Sequence, residues 1–163
     1  MIASQTQNIL DLIEVDHQQI EQLFDEMDAD SDQAQQLEIF TQIYCAMILH
    51  SRAEELVFYP AMRDFQQTEG YIEEAEQEHN ATSILLEAML KLNPADDEFQ
   101  TKYRYLKENM LNHIEEEEEE IFEAVRASMD DSALDQLGNE FQQVKLKVQP
   151  DIDAALVGYR SVS

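Results

Sequence analysis

The chain holds four histidines, His17, His50, His79 and His113, each separated from the next by about one helix and its connection. Two are followed one helical turn later by a glutamate, in His50-Ser51-Arg52-Ala53-Glu54 and His113-Ile114-Glu115-Glu116-Glu117. Residues at i and i+4 share a helix face, so each pair projects an imidazole and a carboxylate together. The rest of that face is largely apolar. Ile43, Val57 and Ala61 accompany His50, and Leu106 and Ala124 accompany His113. Leu10, Ile13 and Phe24 share the face of His17, and Ile72, Ala75, Leu86 and Leu90 that of His79. A polar ring inside a helical core must find a partner. Four imidazoles at one point repel when protonated and lack donors when neutral. A metal ion accepts a lone pair from each, so the expected chemistry is metal ligation by His17, His50, Glu54, His79, His113 and Glu117.

Imidazole with carboxylate suits iron, manganese and zinc. Six protein ligands are too many for one tetrahedral zinc. With both glutamates bridging, the set offers about eight donor contacts, whereas two six-coordinate ions take about twelve. An oxo or hydroxo bridge supplies two more, leaving about two positions for solvent or a small ligand. The expected cofactor is a pair of non-haem iron ions, because open positions and a change of oxidation state make such a site useful. A ferritin-like plan needs two Glu-x-x-His pairs. Glu76 with His79 matches once, while Met47 and Met110 stand where the others would need a glutamate. Glu76 is therefore expected one layer out, as a partner of His79.

These positions resemble the hemerythrin-like, or HHE cation-binding, domain. The resemblance runs over about residues 8–128 and includes Asp16-His17-Gln18-Gln19-Ile20, the run Glu54-Glu55-Leu56-Val57-Phe58-Tyr59-Pro60 after His50, and Glu78-His79. It implies a four-helix bundle around a di-iron centre with the six residues above as ligands. Two departures stand out. The oxygen-carrying members have a further histidine four residues after the third, where this chain has Ser83, and an aspartate where it has Glu118. The lost nitrogen is expected to be replaced by water, Glu120, Tyr44 or Tyr59. A more open site of this kind favours peroxide or redox chemistry, or plain iron binding, over reversible dioxygen carriage.

Long helices must position such ligands, and the composition supplies them. Only three glycines and three prolines occur in 163 residues, with 44% hydrophobic content. Apolar spacing predicts helices over about 5–28, 33–65, 71–92 and 96–128, with a kink or break at Pro60. Asp28 to Asp32 reads as a polar turn offering caps, and Asn93-Pro94-Ala95-Asp96 as a stop and restart. A weaker fifth helix is expected over about 132–148, ended by Pro150, with a short turn or loose tail after it. The fold class is all-α, an up-down-up-down antiparallel four-helix bundle with a shorter C-terminal helix. One domain spans 1–163, with the bundle at about 5–128 and the C-terminal helix and tail at about 130–163. That last segment either covers one side of the bundle or pairs two chains as a homodimer. In the glutamate run 115–120, Glu117 and Glu120 are expected to face inward and Glu115, Glu118 and Glu119 to face water. Phe24 and Phe58 are expected to wall the site.

Net charge is −26, from 36 acidic and 10 basic residues, which disfavours nucleic acid and anionic membranes as partners. Cys45 is the single cysteine, so no intramolecular disulfide forms, and MIASQTQNIL lacks the pattern of a signal peptide. A cytoplasmic setting is expected. Three functions fit the residues. One is a di-iron protein binding dioxygen, peroxide or another diatomic for sensing, storage or detoxification. The second is a catalase- or peroxidase-like enzyme on the same centre. The third is an iron-responsive module whose order a protein partner reads.

Overall fold

The structure, a computed structural model, describes residues 7–29 and 32–162, and these are helical with no strand. Helix α1 spans Ile9–Ala29 and begins where Asn8 Oδ1 accepts the Leu10 N–H at 2.8 Å. Asp32 caps α2, Gln33–Ala53, by accepting the Ala34 N–H. Residues 5, 6, 30 and 31 of the expected first helix and turn lie outside the described residues. Helical turns continue past α2 as a wide π turn, Glu54–Phe58, and α3, Tyr59–Met62. After the short α4, Gln66–Glu69, come α5, Ile72–Leu90, and α6, Asp97–Glu116. A second π turn, Glu117–Ile121, leads into α7, Phe122–Ser128, and α8 spans Asp131–Val162. The Asn93–Asp96 connection closes on itself, with the Asn93 N–H donating to Asp96 Oδ2 and the Ala95 N–H to Asn93 Oδ1.

The kink expected at Pro60 takes the form of the first π turn. Proline lacks an N–H and its ring crowds the carbonyl four residues back. Widening the preceding turn relieves this, and the Tyr59 N–H reaches back five residues to Glu54 O. In the second π turn the Phe122 N–H likewise reaches Glu117 O, with no proline nearby. Both wide turns begin on the glutamate of a His-x-x-x-Glu pair, and such turns often mark functional sites.

The C-terminal expectation is corrected. The helix does not stop at Pro150 and is not the shorter one: α8 runs through it for 32 residues. The carbonyl left without its usual donor is that of Leu146, an exposed residue, where water can serve it. Beyond the proline, Ile152 and Leu156 are buried, and their packing holds the helix in place. Helix α8 lies against α1, α2 and the first π turn, so this segment covers one side of the molecule. At Gly138 the approach is so close that a Cβ would sit 1.9 Å from Gln7 O.

Two apolar clusters make the core. One holds Ile20, Phe24, Phe40, Met47, Leu86 and Phe99, the other Ile13, Phe58, Tyr59, Phe122, Val125 and Phe141. The histidines lie between them. Along α1 the second cluster comes before His17 and the first after it; along α2 the order reverses, α5 repeats that of α1, and α6 carries the first cluster, with the second following in its π turn and α7. A polar layer thus divides the hydrophobic interior. Among the described residues no helix is long and apolar enough to cross a membrane.

Candidate metal centre

Each histidine turns Nε2 inward and Nδ1 outward. On the inner side, Glu54 Oε1 lies 3.2 Å from His50 Nε2 and 3.3 Å from His79 Nε2. Glu117 presents one oxygen to each of two rings, Oε1 at 3.1 Å from His17 Nε2 and Oε2 at 3.4 Å from His113 Nε2. The ring centroids pair as His17 with His50 at 4.9 Å and His79 with His113 at 5.4 Å. Two compact donor groups result: His17, His50 and Glu117, and Glu54, His79 and His113. Each carboxylate also reaches a histidine of the other group, the disposition a bridging ligand needs.

The inner atoms are close but not aligned for hydrogen bonding. His17 Nε2, His50 Nε2, His113 Nε2 and both oxygens of Glu54 and Glu117 are buried without a hydrogen-bond partner. Both glutamates are 0% exposed. Burying such groups without hydrogen bonds is costly even where opposite charges lie nearby, whereas cations shared among them satisfy every one. The donor set therefore fits bound metal cations.

On the outer side the arrangement closes into a ring. Asp16 Oδ2 meets His50 Nδ1 at 2.7 Å, Glu55 meets His79 Nδ1 at 3.2 Å, Glu78 meets His113 Nδ1 at 3.0 Å, and Glu118 meets His17 Nδ1 at 2.6 Å. Each carboxylate is the sequence neighbour of one inward residue and serves an inward histidine on another helix, in the order α1 to α2, α2's π turn to α5, α5 to α6, and α6's π turn to α1. A carboxylate on Nδ1 fixes the ring and its tautomer and raises the donor strength of Nε2.

This ring corrects two expectations. Glu118 is half-buried and holds His17. Glu76 is not the partner of His79: it is exposed and paired with Arg63 at 3.0 Å, and Glu55 takes the place expected for it. Glu120 is exposed rather than turned inward. Tyr59 is fully buried, its Oη 3.1 Å from His79 Nε2. Tyr44 and Ser83 line a cavity of about 80 Å³ that His79 and Glu55 also border. Phe24 and Phe58 belong to the clusters on either side of the ligand layer.

The charges of the metal-free site follow from this geometry. Burial lowers the pKa of His50, but Glu54 and Asp16 outweigh it and raise the value to about 10. Burial likewise opposes a proton on His79 and His113, and their carboxylates again win, so both stand above the ordinary value. Burial raises Glu54, yet His50 and His79 hold it well below the usual carboxylate range. Burial and then the Glu54 and Glu117 charges push the Tyr59 phenol up, so it keeps its proton. Metal entry at His50 must displace its extra proton. Near His113, Glu74, Glu78 and Glu116 gather at the surface; burial and then its two neighbours raise the Glu116 carboxyl.

Comparison with known proteins agrees with the site. The family described as Hemerythrin HHE cation binding domain matches residues 8–125, and the chain belongs to that family. A DNA nickase of Nostoc sp. is 32% identical over 154 residues, covering 94% of this chain but 44% of the relative, so the chain spans less than half its length. No solved structure matches.

Proposed function

We propose that the four histidine-bearing helices form an up-down-up-down bundle around two non-haem iron ions, and that the centre binds dioxygen, peroxide or another small diatomic for sensing, storage or detoxification. The observation that carries this is the convergence of buried donor atoms of His17, His50, Glu54, His113 and Glu117 that make no hydrogen bond. The alternating passage of α1, α2, α5 and α6 between the two clusters supports the bundle. Bound iron would supply open coordination positions and a change of oxidation state. Its ligands would be His17, His50 and Glu117 on one side and His79, His113 and Glu54 on the other, both glutamates bridging. Tyr59 supplies a protonated hydroxyl beside His79, a donor for a ligand bound there. The Tyr44–Ser83 cavity provides room of diatomic size.

The test is to load reduced protein with iron and expose it to dioxygen, peroxide and nitric oxide. A reversible visible band supports sensing or storage. Rapid gas evolution from peroxide supports the enzyme instead. No response to any of the three overturns an open iron position.

The relative's name favours a second reading, metal-dependent cleavage of DNA. A net charge of −26 opposes it, because phosphate binding requires a basic surface. We expect no nicking of supercoiled plasmid by the loaded protein. Nicked circles that vanish with His50→Ala would establish the second reading.

A further inference from the structure

The four outer carboxylates are not equivalent. Glu55, Glu78 and Glu118 are 41%, 38% and 33% exposed, and among the described residues none pairs with a lysine or arginine. Asp16 is 9% exposed and does: Lys145 Nζ of α8 binds Oδ1 while Oδ2 holds His50 Nδ1. One turn earlier on α8, Phe141 sets its ring 6.3 Å from that of His50, and the Lys145 ammonium lies 5.2 Å from the same Phe141 ring. Helix α8 thus reaches His50 twice, through an aromatic edge and through a charge. The cavity beside the pair, about 230 Å³, is walled by Gln19, Gln42 and Gln149 and holds no charged side chain besides Asp16 and Lys145.

We propose that Lys145 is a positioning residue that makes the metal position of His17 and His50 electrically distinct from that of His79 and His113, and that links the valence of that position to the seating of α8. The inference rests on the metal-centre reading above. A carboxylate on Nδ1 draws the imidazole toward imidazolate and strengthens Nε2 as a donor. Lys145 neutralises that carboxylate, so His50 donates less and the lower-valent ion is favoured at its position. The three other histidines keep undiluted carboxylates. Coupling is reciprocal. A more highly charged ion near His50 repels Lys145 and draws on Asp16, which loosens the hold of α8; a firmly seated α8 in turn favours reduction.

The first readout is the reduction potential of the iron-loaded full chain, followed by its visible bands. Lys145→Gln should lower the potential of one of the two one-electron steps, and Lys145→Arg should restore it. Lys107→Gln removes the same charge from a pair with Asp28, distant along α1, and should leave both steps unchanged. The second readout needs no variant: hydrogen exchange of α8 amides in the wild-type protein should be faster in the oxidised than in the reduced state. Loaded wild-type protein with no redox-dependent exchange on α8, or Lys145→Gln potentials equal to those of Lys107→Gln, would overturn the inference and leave the metal centre standing. Wild-type protein that takes up no metal would overturn the metal-centre reading, and this inference with it.

Discussion

At the scale of single residues, the convergence of the inward histidines and glutamates was legible and that of the outer carboxylates was not. The inner set declares itself because a histidine and a glutamate at i and i+4 interrupt an apolar stripe of their own helix. Asp16, Glu55, Glu78 and Glu118 each sit beside a ligand in sequence, so on their own helix they point about 100° away from it, which reads as solvent. Only the neighbouring helix turns that direction into a contact. The available signal was the recurrence itself, an acidic residue next to a ligand on all four helices. Glu118→Gln keeps the shape and removes the charge behind His17, so iron affinity should fall roughly 10–100-fold in competition with a chelator. A change below about twofold would mean that Glu118 only decorates the surface.

Protonation belongs to the same scale. In the metal-free protein, His50 is raised to about 10 from an unfolded value of 6.5, so its contribution to stability is complete below about pH 6.5 and is lost as pH climbs through about 10. Glu54 is held well below 4.5, so its contribution is present above about pH 4.5 and is lost on acidification. Urea unfolding of metal-free protein should therefore show greatest stability between about pH 4.5 and 6.5 and a decline toward pH 10. A maximum above pH 8 contradicts the pairing.

At the scale of elements, apolar spacing located the long helices because each buries one stripe against its neighbours. Proline marked a real event at Pro60 but misled at Pro150. Downstream of Pro150, Ile152 and Leu156 reach the cluster of Phe40 and Phe99, and that tertiary packing outweighs one missing hydrogen bond. Widening at Glu117 had no comparable signal, since no proline accompanies it. If the end of α8 were a loose tail, Ile152→Ala would be silent; docked as it is, the substitution should cost about 2–5 kcal/mol in chemical denaturation.

At the scale of the whole molecule, a polar layer cuts the hydrophobic core in two, and the surface carries a large negative charge. Both features tie stability to cations. Without metal, His50 holds a proton against the buried Glu54 carboxylate; with metal, the same inward atoms would serve as ligands. Binding to the native state alone stabilises it by mass action, about 2.7 kcal/mol at a hundredfold excess over Kd. Iron loading should accordingly raise the melting temperature by roughly 5–10 °C in scanning calorimetry, given the usual entropy of unfolding for a chain of this size. An unchanged melting temperature would mean that the layer does not hold metal.

The decisive measurement is metal content per chain, taken together with the visible spectrum, on protein purified in air after expression in iron-replete medium. A di-iron centre on these six ligands should give two irons per chain with the absorption of an oxo- or hydroxo-bridged pair, reduced to one or none in His50→Ala and His113→Ala. Wild-type protein without iron, or with a single zinc, would contradict that centre.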